Sequence, residues 1–180
     1  LQELYREGYF NITLSINVSI IQLLSKNFVQ EVTQLIQHYK VNPKNIELEI
    51  TESVFTKSHS EMHKVLKELK DCGLMIAIDD FGTEYSSLSR EQDYKADTLK
   101  IDKSFVRKIT HLNENESITA EIISMAHKLK QAVIAEGVEE EKQLEYLRYN
   151  HCDKVQGYFI SHPIDSDQAL RFIKNYPTRD

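Results

Sequence analysis

The sequence predicts an α/β domain built on a parallel sheet, and three observations lead there. Short apolar runs alternate with longer stretches that repeat their apolar residues at helical spacing, strand then helix, six times over. The run Leu74-Met75-Ile76-Ala77-Ile78 is continuously apolar between Gly73 and Asp79, as expected of a strand covered on both faces. Polar residues recur at the ends of these runs, the edge where α/β folds place their chemistry.

Taken in order, Leu1 to Gly8 reads as the tail of a helix, with Gly8 as its C-cap. Residues 12–17 are rich in β-formers and end on Asn17. Residues 20–39 carry Leu24, Phe28, Val32, Leu35 and Ile36 at helical spacing until Pro43 breaks the pattern. Ile46-Glu47-Leu48-Glu49-Ile50 alternates strictly and runs into Thr51-Glu52-Ser53. Residues 61–72 form a helix with Met62, Val65, Leu66 and Leu69 on one face, and the 74–78 strand follows, with Asp79 and Asp80 just beyond its end. Residues 98–102 read as a strand, 117–130 as a helix, 132–136 as a strand stopped by Gly137, 139–149 as a helix, 153–158 as the last strand and 165–175 as a closing helix. Six such units fit either an open doubly wound sheet or most of a (β/α)8 barrel. A full barrel takes about 250 residues, so this chain is expected to lack about two units. The chain opens inside a helix, which puts the shortfall at the N-terminus.

Composition narrows the function classes. The chain has 180 residues, of which 41% are apolar and 28% charged, enough for one core and too few for two. A net charge of −6 without a long basic run argues against a DNA partner. No apolar stretch approaches the length of a membrane span. Cys72 and Cys152 lack metal-type spacing and read as buried free thiols of a reducing cytosol.

Asn17, Glu49, Asp79, Asp80, Lys100, Glu136 and Gln156 all fall at strand ends. On a barrel they would converge at one mouth as a cage of carboxylates and carboxamides around one lysine. Adjacent carboxylates such as Asp79 and Asp80 repel each other and are costly to desolvate, and a cation relieves both costs. All-oxygen donors suit Mg²⁺ or Mn²⁺ rather than structural zinc. Two such ions about 3.5–4 Å apart are the usual apparatus for cleaving a phosphodiester. Singly, the residues have bland readings: Asn17 as a turn residue, one aspartate as a cap, Glu136 as a solvated carboxylate, Lys100 as a surface lysine. Their joint placement at strand ends weighs against that. His59 and His63 have metal spacing but no glutamate base between them, and read as a solvated helix face. A barrel aldolase using Lys100 as a Schiff base is disfavoured, because a lysine amid carboxylates stays protonated.

Six segments in register resemble the EAL-domain family, the bacterial phosphodiesterases of cyclic di-GMP. They are Asn17-Val18-Ser19, Glu49-Ile50-Thr51-Glu52-Ser53, Asp79-Asp80-Phe81-Gly82-Thr83, Leu99-Lys100-Ile101-Asp102, Ala135-Glu136-Gly137-Val138-Glu139 and Gln156-Gly157-Tyr158. The resemblance implies a modified TIM (β/α)8-type barrel, here a single domain over residues 1–180 that lacks its first strand or strands. It also implies two Mg²⁺ or Mn²⁺ ions and hydrolysis of one phosphodiester to linear pGpG. By motif, Asn17, Glu49, Asp79 and Asp80 resemble the metal ligands, with Asp79 as the bridge. Lys100 and Glu136 would position or deprotonate the attacking water. Gln156 would help complete the substrate pocket, and Glu52 would brace the loop after Asp80. The family further implies a homodimer, a cytoplasmic setting, and sensory or GGDEF-type domains upstream in the parent protein. Three departures stand out. The Glu-Ala-Leu segment, whose glutamate is a metal ligand, is absent from this chain. Glu84 replaces the second glycine of the DFGTG loop, and Arg90-Glu91 stands where apolar residues are usual. The leading expectation is a cyclic di-GMP phosphodiesterase domain; the missing glutamate and Glu84 motivate the alternative of a catalytically inactive cyclic di-GMP receptor or partner-binding domain.

Overall fold

A computed structural model describes residues 1–52, 59–82, 95–109 and 118–176. Helix α1 (Gln2–Arg6) leads into strand β1 (Leu14–Asn17), followed by helices α2 (Ile20–Leu23) and α3 (Phe28–Tyr39). A 3-10 turn (Pro43–Asn45) opens strand β2 (Ile46–Thr51). Helix α4 (His59–Asp71) returns the chain to strand β3 (Met75–Phe81). Strand β4 (Thr98–Ile101) is followed by the short helix α5 (Lys103–Val106) and then by α6 (Ile118–Lys128). Strand β5 (Ala132–Glu136), helix α7 (Glu141–Tyr149), strand β6 (Lys154–Gln156) and helix α8 (Ser166–Asn175) complete the described elements. Ser53, Thr83, Glu84, Arg90 and Glu91 lie outside the described residues.

The six strands pair in parallel in the order β1-β2-β3-β4-β5-β6. Strictly sequential order is what settles the open alternative. A doubly wound sheet reverses its strand order at a switch point, whereas a sheet whose crossovers all step the same way curls toward a barrel. The result is a curled half-barrel of parallel strands with helices, as expected for a TIM-like barrel.

The outer layer is apolar, with Leu66 and Leu69 of α4, Ile123 of α6, and Leu147 and Tyr146 of α7 all 2% exposed or less. The sheet buries Ile50, Ile76, Ile78, Leu99, Ile101 and Val133. Between β1 and α3 a groove of about 580 Å³ stays open, lined by Leu14, Ile16, Val32, Leu35 and Tyr39 among others. All four residues of β1 are exposed.

One device recurs at the starts of alternate strands. Asp97, just before β4, accepts the backbone N–H of Ile76 at 2.9 Å and the Lys70 ammonium at 2.7 Å. Asp153, just before β6, accepts the N–H of Val133 at 2.8 Å and pairs with His127 Nε2 at 2.9 Å. In each case a carboxylate satisfies the start of the neighbouring strand, and a basic side chain from the last turn of the preceding helix tethers it.

The structure revises several boundaries. The expected helix over residues 20–39 is two helices, broken at residues 24–27, where Ser25 and Asn27 favour local hydrogen bonds over helix. Strand β3 is longer than expected and contains both aspartates. Strand β6 is shorter, and α5 was not foreseen; its N-cap is Asp102, whose Oδ1 accepts the Ser104 N–H at 2.9 Å. Cys72 and Cys152 are free, and half-buried rather than fully buried. Among the described residues no helix is long and apolar enough to cross a membrane.

Candidate active site

Four of the strand ends converge. Lys100 on β4 places its ammonium 2.9 Å from Glu49 Oε2 on β2, 3.0 Å from Asp79 Oδ1 on β3 and 2.8 Å from Glu136 Oε1 on β5. Four strands thus each give one side chain to a single ion cluster. Its neighbours on β4, Leu99 and Ile101, are both fully buried and anchor the strand in the core. Lys100 itself is 3% exposed. An ammonium has three N–H donors, and here three carboxylates take them.

Asp79 and Asp80 should point to opposite sides of a regular strand. They do not, because the β3–β4 register slips. Ile78 pairs with Leu99 and Phe81 with Ile101, so three steps on β3 oppose two on β4. The extra residue forms a bulge, with Asp80 in the left-handed region at φ 54°. The Asp80 N–H turns back onto Asp79 Oδ1 at 3.0 Å. The bulge re-aims Asp80 so that Asp79, Asp80 and Glu136 each offer a carboxylate oxygen within 4.8 Å of the other two. That is backbone strain placed at a functional edge.

The electrostatics follow from burial. Burial pushes the Asp80 carboxyl up from its ordinary value, and the neighbouring Asp79 charge adds to it. Burial also pushes Glu136 up, only partly offset by its bond to Lys100. Burial by itself would lower Lys100, but the bonds from Glu136, Glu49 and Asp79 outweigh it and raise the ammonium well above the ordinary lysine value. Lys100 therefore stays charged, which removes the Schiff-base reading.

Glu52, 3% exposed, accepts the Gly82 N–H on Oε2 at 3.0 Å, tying the end of β2 to the turn after β3. Asn17 and Gln156 are exposed residues on the flanking strands. Asn17 is the Cα partner of Glu49, and Gln156 that of Glu136. Both sit one strand outside the ion cluster.

Asp102 was not singled out from sequence, yet its charge acts on Asp80. Burial would raise its carboxyl, but bonds from Ser104 and the Lys103 backbone outweigh this and hold it low, so it stays ionised. The available signal was its spacing, two residues beyond Lys100, which repeats the side-chain direction of a strand.

The donor set fits a divalent cation: hard carboxylate oxygens, closely spaced, with burial opposing their own charge. In total charge, Glu49, Asp79, Asp80 and Glu136 against Lys100 leave a formal −3 in a small volume.

The EAL domain family matches residues 1–163. The signalling protein YkoW of Bacillus subtilis is 38% identical over 98% of this chain and 22% of its own length. The cyclic di-GMP phosphodiesterase NbdA of Pseudomonas aeruginosa is 35% identical over the same shares. A solved structure described as the PaMucR phosphodiesterase in complex with c-di-GMP superposes with a TM-score of 0.87 at 30% identity, covering 94% of this chain and 68% of that one. The chain thus spans only about a fifth of the length of the first curated relatives it matches. The matched residues hold the ion cluster, the bulge and all six strands, and the chain belongs to the EAL domain family.

Proposed function

We propose that this domain hydrolyses cyclic di-GMP to linear pGpG in a signalling pathway. The observation that carries the reading is the cage itself: Lys100 bonded to Glu49, Asp79 and Glu136, with Asp80 turned in beside them. It supports the reading because phosphodiester cleavage needs both a charged clamp on the phosphate and a placed water.

Asp79, Asp80 and Glu136, with Glu49 and Asn17 beside them, would hold two divalent ions, Mg²⁺ or Mn²⁺. When bound, such ions neutralise the phosphoryl oxygens and lower the pKa of water. The chain's own residues do the rest. The Lys100 ammonium, held by Glu49, Asp79 and Glu136, sets its positive charge beside the phosphate and the attacking water. Glu136, whose basicity burial raises, accepts the proton as the water oxygen bonds to phosphorus. The bond from phosphorus to the ribose 3′ oxygen breaks, that oxygen takes up a proton from solvent, and Glu136 returns its own to solvent. The product keeps its phosphate on the 5′ side, which is linear pGpG. Gln156, at the exposed end of β6, would meet the nucleotide, and Glu52 would hold the turn at Gly82 in place.

The family resemblance also supports a homodimer and a cytoplasmic setting. The much longer curated relatives support further domains, sensory or GGDEF-type, in the parent protein. The test is incubation with cyclic di-GMP and Mg²⁺ or Mn²⁺, with products separated by chromatography. Linear pGpG, lost on chelation, is the expected result. Tight binding without cleavage would replace this reading with that of an inactive receptor, and neither binding nor cleavage would remove both.

A further inference from the structure

We infer that Lys100 is the resident counter-ion of the cage: its ammonium holds Glu49, Asp79 and Glu136 together before any divalent ion arrives, and weakens the binding of that ion. The inference rests on the metal-dependent reading of the site, though not on what the site cleaves.

Four carboxylates facing one mouth would splay apart without a cation, because their mutual repulsion is least screened where they are buried. In the structure they do not splay. The three contacts of the Lys100 ammonium span only 2.8 to 3.0 Å, and its side chain is 4% exposed. These three bonds saturate its donors, so the ammonium is fully committed to the cage. Two of its three partners, Asp79 and Glu136, are also members of the oxygen trio that lies within 4.8 Å. Lysine and cation therefore share ligands.

The sharing is by oxygen. Asp79 Oδ1 already accepts both the ammonium and the Asp80 N–H, and Glu136 gives Oε1 to the ammonium. Among the described residues no hydrogen bond or ion pair takes the second oxygen of either, which leaves it for an incoming ion that would bind with a positive charge one carboxylate away. That charge opposes the ion, while the order it imposes on the cage favours ion binding. The first effect is long-ranged and grows in a buried site, so removing the charge leaves a cage that takes up cations more strongly. The lysine thus keeps the site assembled and its ions exchangeable.

The test compares metal-stripped wild type with Lys100→Met, which keeps the stem and loses the charge, and Lys100→Arg, which keeps the charge. Mn²⁺ affinity is read by calorimetry and the thermal midpoint by scanning, with no nucleotide present. Lys100→Met should melt several degrees lower without metal, bind Mn²⁺ at least tenfold more tightly, and recover its midpoint when Mn²⁺ is added. Lys100→Arg should stay near wild type in both. Unchanged or weaker Mn²⁺ binding by Lys100→Met would overturn the proposal. Should that variant fail to fold even with Mn²⁺, the unmodified protein decides. The ¹³Cε resonance of Lys100 should shift in step with Mg²⁺ occupancy, and a resonance that does not move would refute the shared-ligand geometry. A protein that binds Mn²⁺ this way but never cuts cyclic di-GMP would leave this inference standing and remove only the phosphodiesterase reading.

Discussion

Replacing Gly157 with alanine should separate β5 from β6 at the edge of the site. A Cβ on Gly157 would lie 2.1 Å from the Val138 carbonyl oxygen, 2.3 Å from its nitrogen and 2.7 Å from its carbonyl carbon. All three are backbone atoms, so no side chain can swing away. Ordinary contact begins near 3.4 Å, which requires the two segments to part by about 1.3 Å. Two hydrogen bonds straddle this point. The Val138 N–H donates to the Gln156 carbonyl at 3.1 Å, and the Phe159 N–H donates to the Val138 carbonyl at 3.0 Å. Losing both costs about 1 kcal/mol each, and forcing an extra methyl into packed backbone adds about 1–3 kcal/mol. The sum is about 3–5 kcal/mol. For a chain of this size each kcal/mol moves the midpoint by about 2–4 °C, so the expected fall is about 6–20 °C in a calorimetric scan. Gly8→Ala is the control. Gly8 has φ 88° but nothing within 4 Å of an added methyl, so it carries only the left-handed penalty of about 1 kcal/mol. Because Gln156 moves with the strand, Gly157→Ala should also raise KM for cyclic di-GMP more than it lowers kcat. A fall no larger than that of Gly8→Ala would refute the argument from close backbone approach.

Two further predictions concern the C-terminal end of α6. Burial would raise the Asp153 carboxyl, but its bonds from His127 and the Val133 N–H outweigh this and hold it below the ordinary value. Its contribution to stability is therefore complete above the unfolded pKa of about 4 and is lost as pH falls through the lower folded value. Asp153→Asn should cost about 1 kcal/mol near neutrality and flatten the acid limb, and melting curves for both proteins from pH 7 to pH 3 that run parallel would contradict it. Lys130, in the turn just after the same helix, lies in the left-handed region at φ 62°, exposed, and donates its N–H to the His127 carbonyl. Lys130→Gly should stabilise by about 0.5–1 kcal/mol, since glycine alone adopts that backbone freely, and an unchanged or lower midpoint would count against it.

Much of this protein was legible in order along the chain. Periods of two and 3.6 are local, so the strands carrying Asn17, Glu49, Lys100 and Glu136 and the faces of α4, α6 and α7 could be read without any contact. The placement of charged residues at strand ends carried the site, because parallel strands share a direction and so bring their C-terminal ends to one rim. Three things were decided only by tertiary structure. The winding direction depends on which strands pair, and helical and strand periods are the same in a singly or doubly wound sheet. The aspartates look like residues beyond a strand, because a bulge depends on a register slip against β4 that only the partner strand defines. Glu47 looks like the solvent side of an alternating strand. It is 1% exposed, taking the Thr98 hydroxyl at 2.5 Å and the Ser15 hydroxyl at 3.0 Å. Alternation tells which residues share a face; only the curling of the sheet makes one polar face an interior, where each polar group must then find its partner from another strand.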